Sequence, residues 1–177
     1  MADQLVVVEF AEDTTLRSAV TASLGNIAPQ ALLVGGYGGR WISWDRAAGV
    51  PLRDSELRAR GALLGAGVVV ALDSNTCGLE RTAAIVDFLA ASGARQCGPC
   101  RFGLPAIAAA VSHLAEATAR RRDANRLERF LTEVNGRGAC HHPDGTVGLV
   151  RSALSTFADD VAAHRTGRCL RAGGGRG

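Results

Sequence analysis

The feature that most constrains this chain is a change of hydrophobic period at Asp73. Before it, apolar residues come in short, β-branched runs bounded by Gly, Pro and Asp. After it, they recur at helical spacing. Strands surrounding one short helix, followed by a run of helices, read as an α+β fold. In the first region, Leu5-Val6-Val7-Val8-Glu9-Phe10 reads as a strand. Asp13-Thr14-Thr15 offers caps for a short helix through Leu16 and Val20. Ala31-Leu32-Leu33-Val34 is a second strand, stopped by the turn Gly35-Gly36-Tyr37-Gly38-Gly39. Arg40-Trp41-Ile42-Ser43-Trp44 resumes as a strand, and Pro51 to Leu57 leads through a loop into a short helix. Gly67-Val68-Val69-Val70-Ala71-Leu72 is the last strand.

The second region carries four helical patterns. Cys77 to Ala91 places Leu79, Ala83, Val86 and Ala90 on one face. Phe102 to about Arg122 does the same with Ile107, Val111 and Leu114, and Asp123 to Val134 with Leu127, Phe130, Leu131 and Val134. Gly145 to about His164 repeats it through Val150, Leu154, Phe157 and Val161. Four helices with short connections imply a bundle. The tail Arg171-Ala172-Gly173-Gly174-Gly175-Arg176-Gly177 has nothing to bury and reads as disordered.

Composition removes several function classes. At 177 residues the chain can form a core, since a chain of this size buries about 68–70% of its unfolded surface. All 20 basic residues are Arg. Without Lys there is no Walker-type phosphate loop and no Schiff-base or pyridoxal chemistry. The net charge is +3, and the one basic cluster, Arg120-Arg121-Arg122, reads as a solvated loop or helix end. With aromatics at 5%, a base-stacking platform is not supported, so no nucleic-acid partner is expected. No apolar run reaches 18 residues, so no membrane insertion is expected. The polar start Met1-Ala2-Asp3-Gln4 carries no basic n-region, so no secretory signal is expected. A cytoplasmic chain keeps its five Cys reduced, which favours metal or redox roles over disulfides.

Two loops carry the chemistry. Gln96-Cys97-Gly98-Pro99-Cys100-Arg101 is a Cys-x-x-Cys at the mouth of a helix, where two thiolates can converge on one metal or cluster. The helix start stabilises thiolate charge. A thioredoxin-like redox pair shares this spacing but follows a strand, and the segment upstream here is helical. Gly138-Ala139-Cys140-His141-His142-Pro143 sets a thiol and two imidazoles in a second interhelical loop. If the loops meet at one end of the bundle, Cys97, Cys100 and Cys140 become ligands, with His141 or His142 as a fourth; zinc suits this set as well as iron. The plainer alternative leaves Cys140 a buried small hydrophobe and the His pair a cap or surface feature. Cys77 reads as a buried Cys in a helix cap, Cys169 as a free or packed thiol, and His113 and His164 as ordinary helix residues. Gly35 to Gly39 precedes a strand rather than a helix, so it reads as a structural turn, not a nucleotide loop. No catalytic constellation is legible.

These residues together resemble a known family. The chain is similar to the C-terminal half of the flavin- and NADH-binding subunit of respiratory complex I and of related NAD-reducing hydrogenases and formate dehydrogenases. Leu33-Val34-Gly35-Gly36-Tyr37-Gly38-Gly39-Arg40-Trp41 resembles that subunit's ubiquitin-like, soluble-ligand-binding β-grasp domain. Leu64 to Val68 and on to Cys77 resembles its lead-in to the bundle. Cys97-Gly98-Pro99-Cys100-Arg101 resembles the end of the signature Glu-Ser-Cys-Gly-x-Cys-x-Pro-Cys-Arg, and Cys140 falls where the family has a distant fourth Cys. The resemblance implies a 4Fe-4S cluster that takes electrons from reduced flavin, with Cys97, Cys100 and Cys140 as ligands; Arg101 would raise its potential by adding positive charge nearby.

Two departures sharpen this. Ala94 stands where the first cluster Cys belongs. Three Cys could hold a cluster with a fourth ligand from His141, His142, Cys77 or an outside group; they could hold a three-iron cluster, or none. The family's FMN and NADH sites lie upstream of the β-grasp unit, so neither site is expected in this chain, and a truncated gene product is an alternative. The expected organisation is a β-grasp-like domain over 4–72, an iron–sulfur-type four-helix bundle over 73–168 and a disordered tail over 169–177. The expected function is a cytoplasmic electron-transfer domain that does not oxidise NADH alone. Its partners would be other redox subunits, one of them carrying the flavin, with a position peripheral to a membrane-bound complex as a further option. The alternatives are a cluster-free docking module of a redox complex and a zinc-stabilised domain.

Overall fold

The computed structural model describes residues 6–117 and 121–171. Strand β1 (Ala31–Val34) is buried at all four positions. Its alternation explains why. Ala31 and Leu33 join the apolar cluster that fills the helical bundle, while Leu32 and Val34 join a second cluster on the opposite face. A strand covered on both faces is apolar throughout, as this one is. It pairs antiparallel with β2 (Arg40–Ser43) on one side and β3 (Val69–Leu72) on the other, with Leu33 opposite both Trp41 and Val70. The second cluster is closed by α1 (Leu16–Leu24), α2 (Trp44–Ala47) and α3 (Asp54–Arg58), through Leu16, Val20, Trp44, Ala47 and Leu57. Thr15 caps α1, its Oγ1 accepting the Ser18 N–H at 3.2 Å.

The helices follow as α4 (Gly78–Ala91), α5 (Leu104–Ala115), α6 (Arg121–Val134), α7 (His142–Thr156) and α8 (Ala158–His164). The architecture is α+β, as the change of period at Asp73 implies. Several expectations are corrected. Residues 6–10 form no strand, and Val7 is 92% exposed. Both edges of β1 are already taken, and β-branched residues stay extended only with a partner to pack against. Leu5 and residues 172–177 lie outside the described residues. Trp44 opens α2 instead of ending a strand, its N–H donating to Gln30 O at 2.9 Å. The fourth helix breaks at Phe157 (φ −108°, ψ 36°), whose ring packs edge-on against Trp41. Residues 169–171 are placed against the bundle: Arg171 donates to Ser74 O at 2.7 Å.

Helix α7 seals the exposed edge of β2. Trp41 N–H donates to Ser152 Oγ at 2.9 Å, and Thr156 Oγ1 donates to Trp41 O at 3.1 Å. Unpaired edge groups otherwise invite pairing with other chains. Arg40 lies across Gly148 of α7, where any Cβ would strike its guanidinium. Its Nη1 donates to the carbonyls of Gly38 and Gly39 at 3.1 and 2.9 Å. The glycine-rich turn is therefore a buttress between sheet and bundle. Replacing both Ser152 by Ala and Thr156 by Val leaves Trp41 N–H and C=O without partners, and unfolding free energy is expected to fall by about 1–3 kcal/mol per lost partner. Chemical denaturation measures this, and hydrogen exchange at the Trp41 amide localises it.

Candidate metal centre

The Cys-x-x-Cys follows the C-terminal end of α4 and leads into a π-helical turn, Pro99–Gly103, directly before α5. Such turns are frequent at functional sites. The backbone N–H groups of Ala139 and Cys100 point at Cys97 Sγ and hold that thiol below its ordinary pKa. Ala139 comes from the second loop, so the two loops meet. Cys100 is buried, and its Sγ accepts the Arg95 N–H at 3.2 Å. It presses on Gly93, where an added Cβ would lie 2.5 Å from the sulfur. Arg95 itself takes a left-handed backbone (φ 56°), a conformation unusual outside Gly, Asn and Asp.

The second loop is pinned by Asp144, in the first turn of α7, whose Oδ1 accepts the Gly136 N–H at 2.7 Å. Cys140 is exposed at the same end of the bundle. His141 is fully exposed, with Nδ1 3.6 Å from Asp144 Oδ2. His142 is half-buried beside the Cys-x-x-Cys, and its Nε2–H donates to Leu89 O at 2.9 Å. That bond caps the C-terminal end of α4 and occupies Nε2, leaving Nδ1 as the nitrogen available to a ligand. Cys77 is the N-cap of α4, at the end far from Cys97. The 14 residues of α4 span about 21 Å, which removes Cys77 from the candidates for a fourth ligand here.

Among the described residues, one group brings three ligand atoms within 4.8 Å of one another: Cys77, His164 and Cys169. Cys97, Cys100 and Cys140 are more widely spread. The group of Cys77, His164 and Cys169 was not expected from the residues. Its members are far apart in sequence, and each reads as an ordinary packed residue alone. One local signal points to it: His164-x4-Cys169 is close to the spacing of many metal ligands. Burial pushes the Cys77 thiol up to about 12, against the pull of the Glu80 and Leu79 N–H groups at the start of α4.

Residues 80–164 match the family model described as the NADH-ubiquinone oxidoreductase-F iron-sulfur binding region. The matched stretch covers most of the helical bundle, from α4 to α8. The F-type subunit of NADH-quinone oxidoreductase from Streptomyces coelicolor is 26% identical over 124 residues, covering 70% of this chain and 28% of the relative. An F-type subunit of the same enzyme from Rhizobium meliloti is 29% identical over 108 residues, covering 61% and 26%. The chain thus spans about a quarter of the length of these relatives. A crystal structure of an NAD+-reducing [NiFe]-hydrogenase in the H2-reduced state shares the fold, with a TM-score of 0.77 and 24% identity over 88% of this chain and 26% of that one. Against the F-type signature, Arg95 stands where the motif has Gly and keeps the left-handed backbone that Gly would favour. Ala94 precedes it, where that signature has its first Cys. The relatives are named as subunits of larger assemblies. Among the described residues, no helix is long and apolar enough to cross a membrane.

Proposed function

We propose that this chain holds a 4Fe-4S-type cluster on Cys97, Cys100 and Cys140 and serves as an electron-transfer domain between other redox subunits. The observation that carries the reading is the Ala139 N–H aimed at Cys97 Sγ, which ties the two Cys-bearing loops together. The donor set fits such a cluster. It offers three thiols, backbone N–H groups aimed at two of the sulfurs, and the starts of α5 and α7 at the same end of the bundle. When bound, the cluster supplies one-electron transfer at a potential set by its surroundings. Cys97, held below its ordinary pKa by the Ala139 and Cys100 N–H groups, offers a thiol that a metal deprotonates more readily. Arg101 adds positive charge beside it, and that charge raises the potential. In place of a Cys at Ala94, His141, His142 or an outside ligand would hold the fourth iron, or the cluster would hold three irons.

Flavin and NADH would be bound by residues other than these, on a partner or another segment. The chain then works at the periphery of a larger, cytoplasmic complex, with no direct membrane insertion and no nucleic-acid partner. Ala94 favours one rival, a cluster-free docking module that keeps the fold without the iron. Anaerobic isolation separates the two. The electron-transfer reading expects a brown protein with the broad visible absorption of thiolate-to-iron charge transfer, bleached by reductant. A colourless chain after anaerobic reconstitution with iron and sulfide supports the docking module.

A further inference from the structure

We propose that Cys77, His164 and Cys169 form a mononuclear zinc site at the end of α4 opposite the iron–sulfur loops. The site is separate from the cluster reading and stands whether or not iron binds. Its three ligand atoms already lie within 4.8 Å of one another. Cys77 Sγ and His164 Nε2 are 3.5 Å apart. A tetrahedral zinc with ordinary Zn–S and Zn–N lengths sets a ligand sulfur and nitrogen at roughly that same separation, about 3.5 Å.

The imidazole is prepared for the role. His164 is fully buried, and its Nδ1 lies 3.0 Å from Leu114 O. A carbonyl only accepts, so Nδ1 carries the proton and Nε2 turns its lone pair toward Cys77. A metal-binding His ordinarily gives its other N–H to such an acceptor, which fixes both tautomer and ring orientation. The Glu80 and Leu79 N–H groups at the start of α4 also point at Cys77 Sγ, as donors to a metal-bound sulfur. Cys169 is delivered by the turn after α8, where Gly167 N–H donates to His164 O at 3.1 Å and Arg168 N–H to Ala163 O at 3.1 Å.

Charge balances as the ion enters. Zn2+ displaces the two thiol protons to solvent, and the resulting dithiolate–imidazole centre is neutral. A neutral centre can stay in a buried place where a lone charge could not. Soft thiolate ligands with one imidazole select zinc over magnesium or calcium, and three protein ligands leave the fourth position to water or another small ligand. The ion would fasten the C-terminal segment to the junction of sheet and bundle. Gln30 Nε2 donates there to Asp73 O at 2.8 Å, and Arg171 to Ser74 O at 2.7 Å.

The test uses the full chain, reduced, exposed to zinc chloride and freed of loose metal by gel filtration. Elemental analysis is expected to find about one zinc per chain, the stoichiometry of a single four-coordinate site. Cys169→Ser, at a half-exposed position, is expected to keep its helical circular dichroism and lose at least nine-tenths of the zinc. Cobalt substitution gives a second readout: thiolate-to-cobalt absorption in the parent chain, weakened in Cys169→Ser. Cys97→Ser is expected to retain the zinc, so failure of the cluster reading leaves this result standing. A zinc-free parent chain, zinc retained in Cys169→Ser, or a Cys77–Cys169 disulfide under reducing conditions would overturn the site.

Discussion

Leu33→Ala is expected to lower the unfolding free energy by about 2–5 kcal/mol, the range for truncating a fully buried leucine. A domain of this kind has about 5–15 kcal/mol in total, so this is a large share. Leu33 is fully buried on the bundle-facing side of β1, in the same cluster as Leu79, Val86, Leu104 and Val150. Leu32, its neighbour, faces Leu16, Ile42 and Leu57 across the other side of the sheet. The strand is thus a wall shared by two cores. Sheet and helices are expected to melt as one unit, although the chain changes character at Asp73. The two Trp residues, Trp41 and Trp44, lie in and beside β2 and report on the sheet by fluorescence. Far-ultraviolet circular dichroism reports chiefly on the helices. Coincident urea transitions, both moved to lower urea in Leu33→Ala, are the expected outcome. A fluorescence transition that moves alone while the helical signal stays in place would make the sheet a separate domain.

Cys140→Ser is expected to remove essentially all bound iron, because it withdraws the one thiol supplied by the loop between α6 and α7. Cys140 is exposed, so the substitution costs little packing and the fold is expected to persist. Iron retained at the parent level in Cys140→Ser would refute a site shared by the two loops. Ala94→Cys works in the opposite direction. It restores a thiol three residues before Cys97, and the cluster is expected to survive longer in air and to hold its fourth iron more tightly. Electron paramagnetic resonance distinguishes the three-iron from the four-iron state in both proteins.

Much of this was legible in the residues, and what was not has physical reasons. The four helical patterns place Leu79, Val111, Leu131 and Val150 in the core because helical spacing alone directs them to one face. The break at Phe157 was hidden, because it depends on where the Phe157 ring packs: against Trp41, and against Gly78, which has no side chain to obstruct it. Val6, Val7 and Val8 carry strong strand propensity, yet propensity does not create an edge to pair with. The two loops could be paired from spacing and family resemblance. The Ala139 N–H that joins them is a backbone group, and backbone groups leave no mark in a sequence. Cys77 and Cys169 come together only through the packing of α4 against α8, which no local pattern encodes.

The most direct test of the central reading is the iron and acid-labile sulfide content of the anaerobically isolated chain, with electron paramagnetic resonance before and after dithionite. About three to four irons per chain with matching sulfide, and a signal that changes reversibly on reduction, are the expected result for a cluster on Cys97, Cys100 and Cys140. A chain that stays free of iron and shows no signal after anaerobic reconstitution would contradict it.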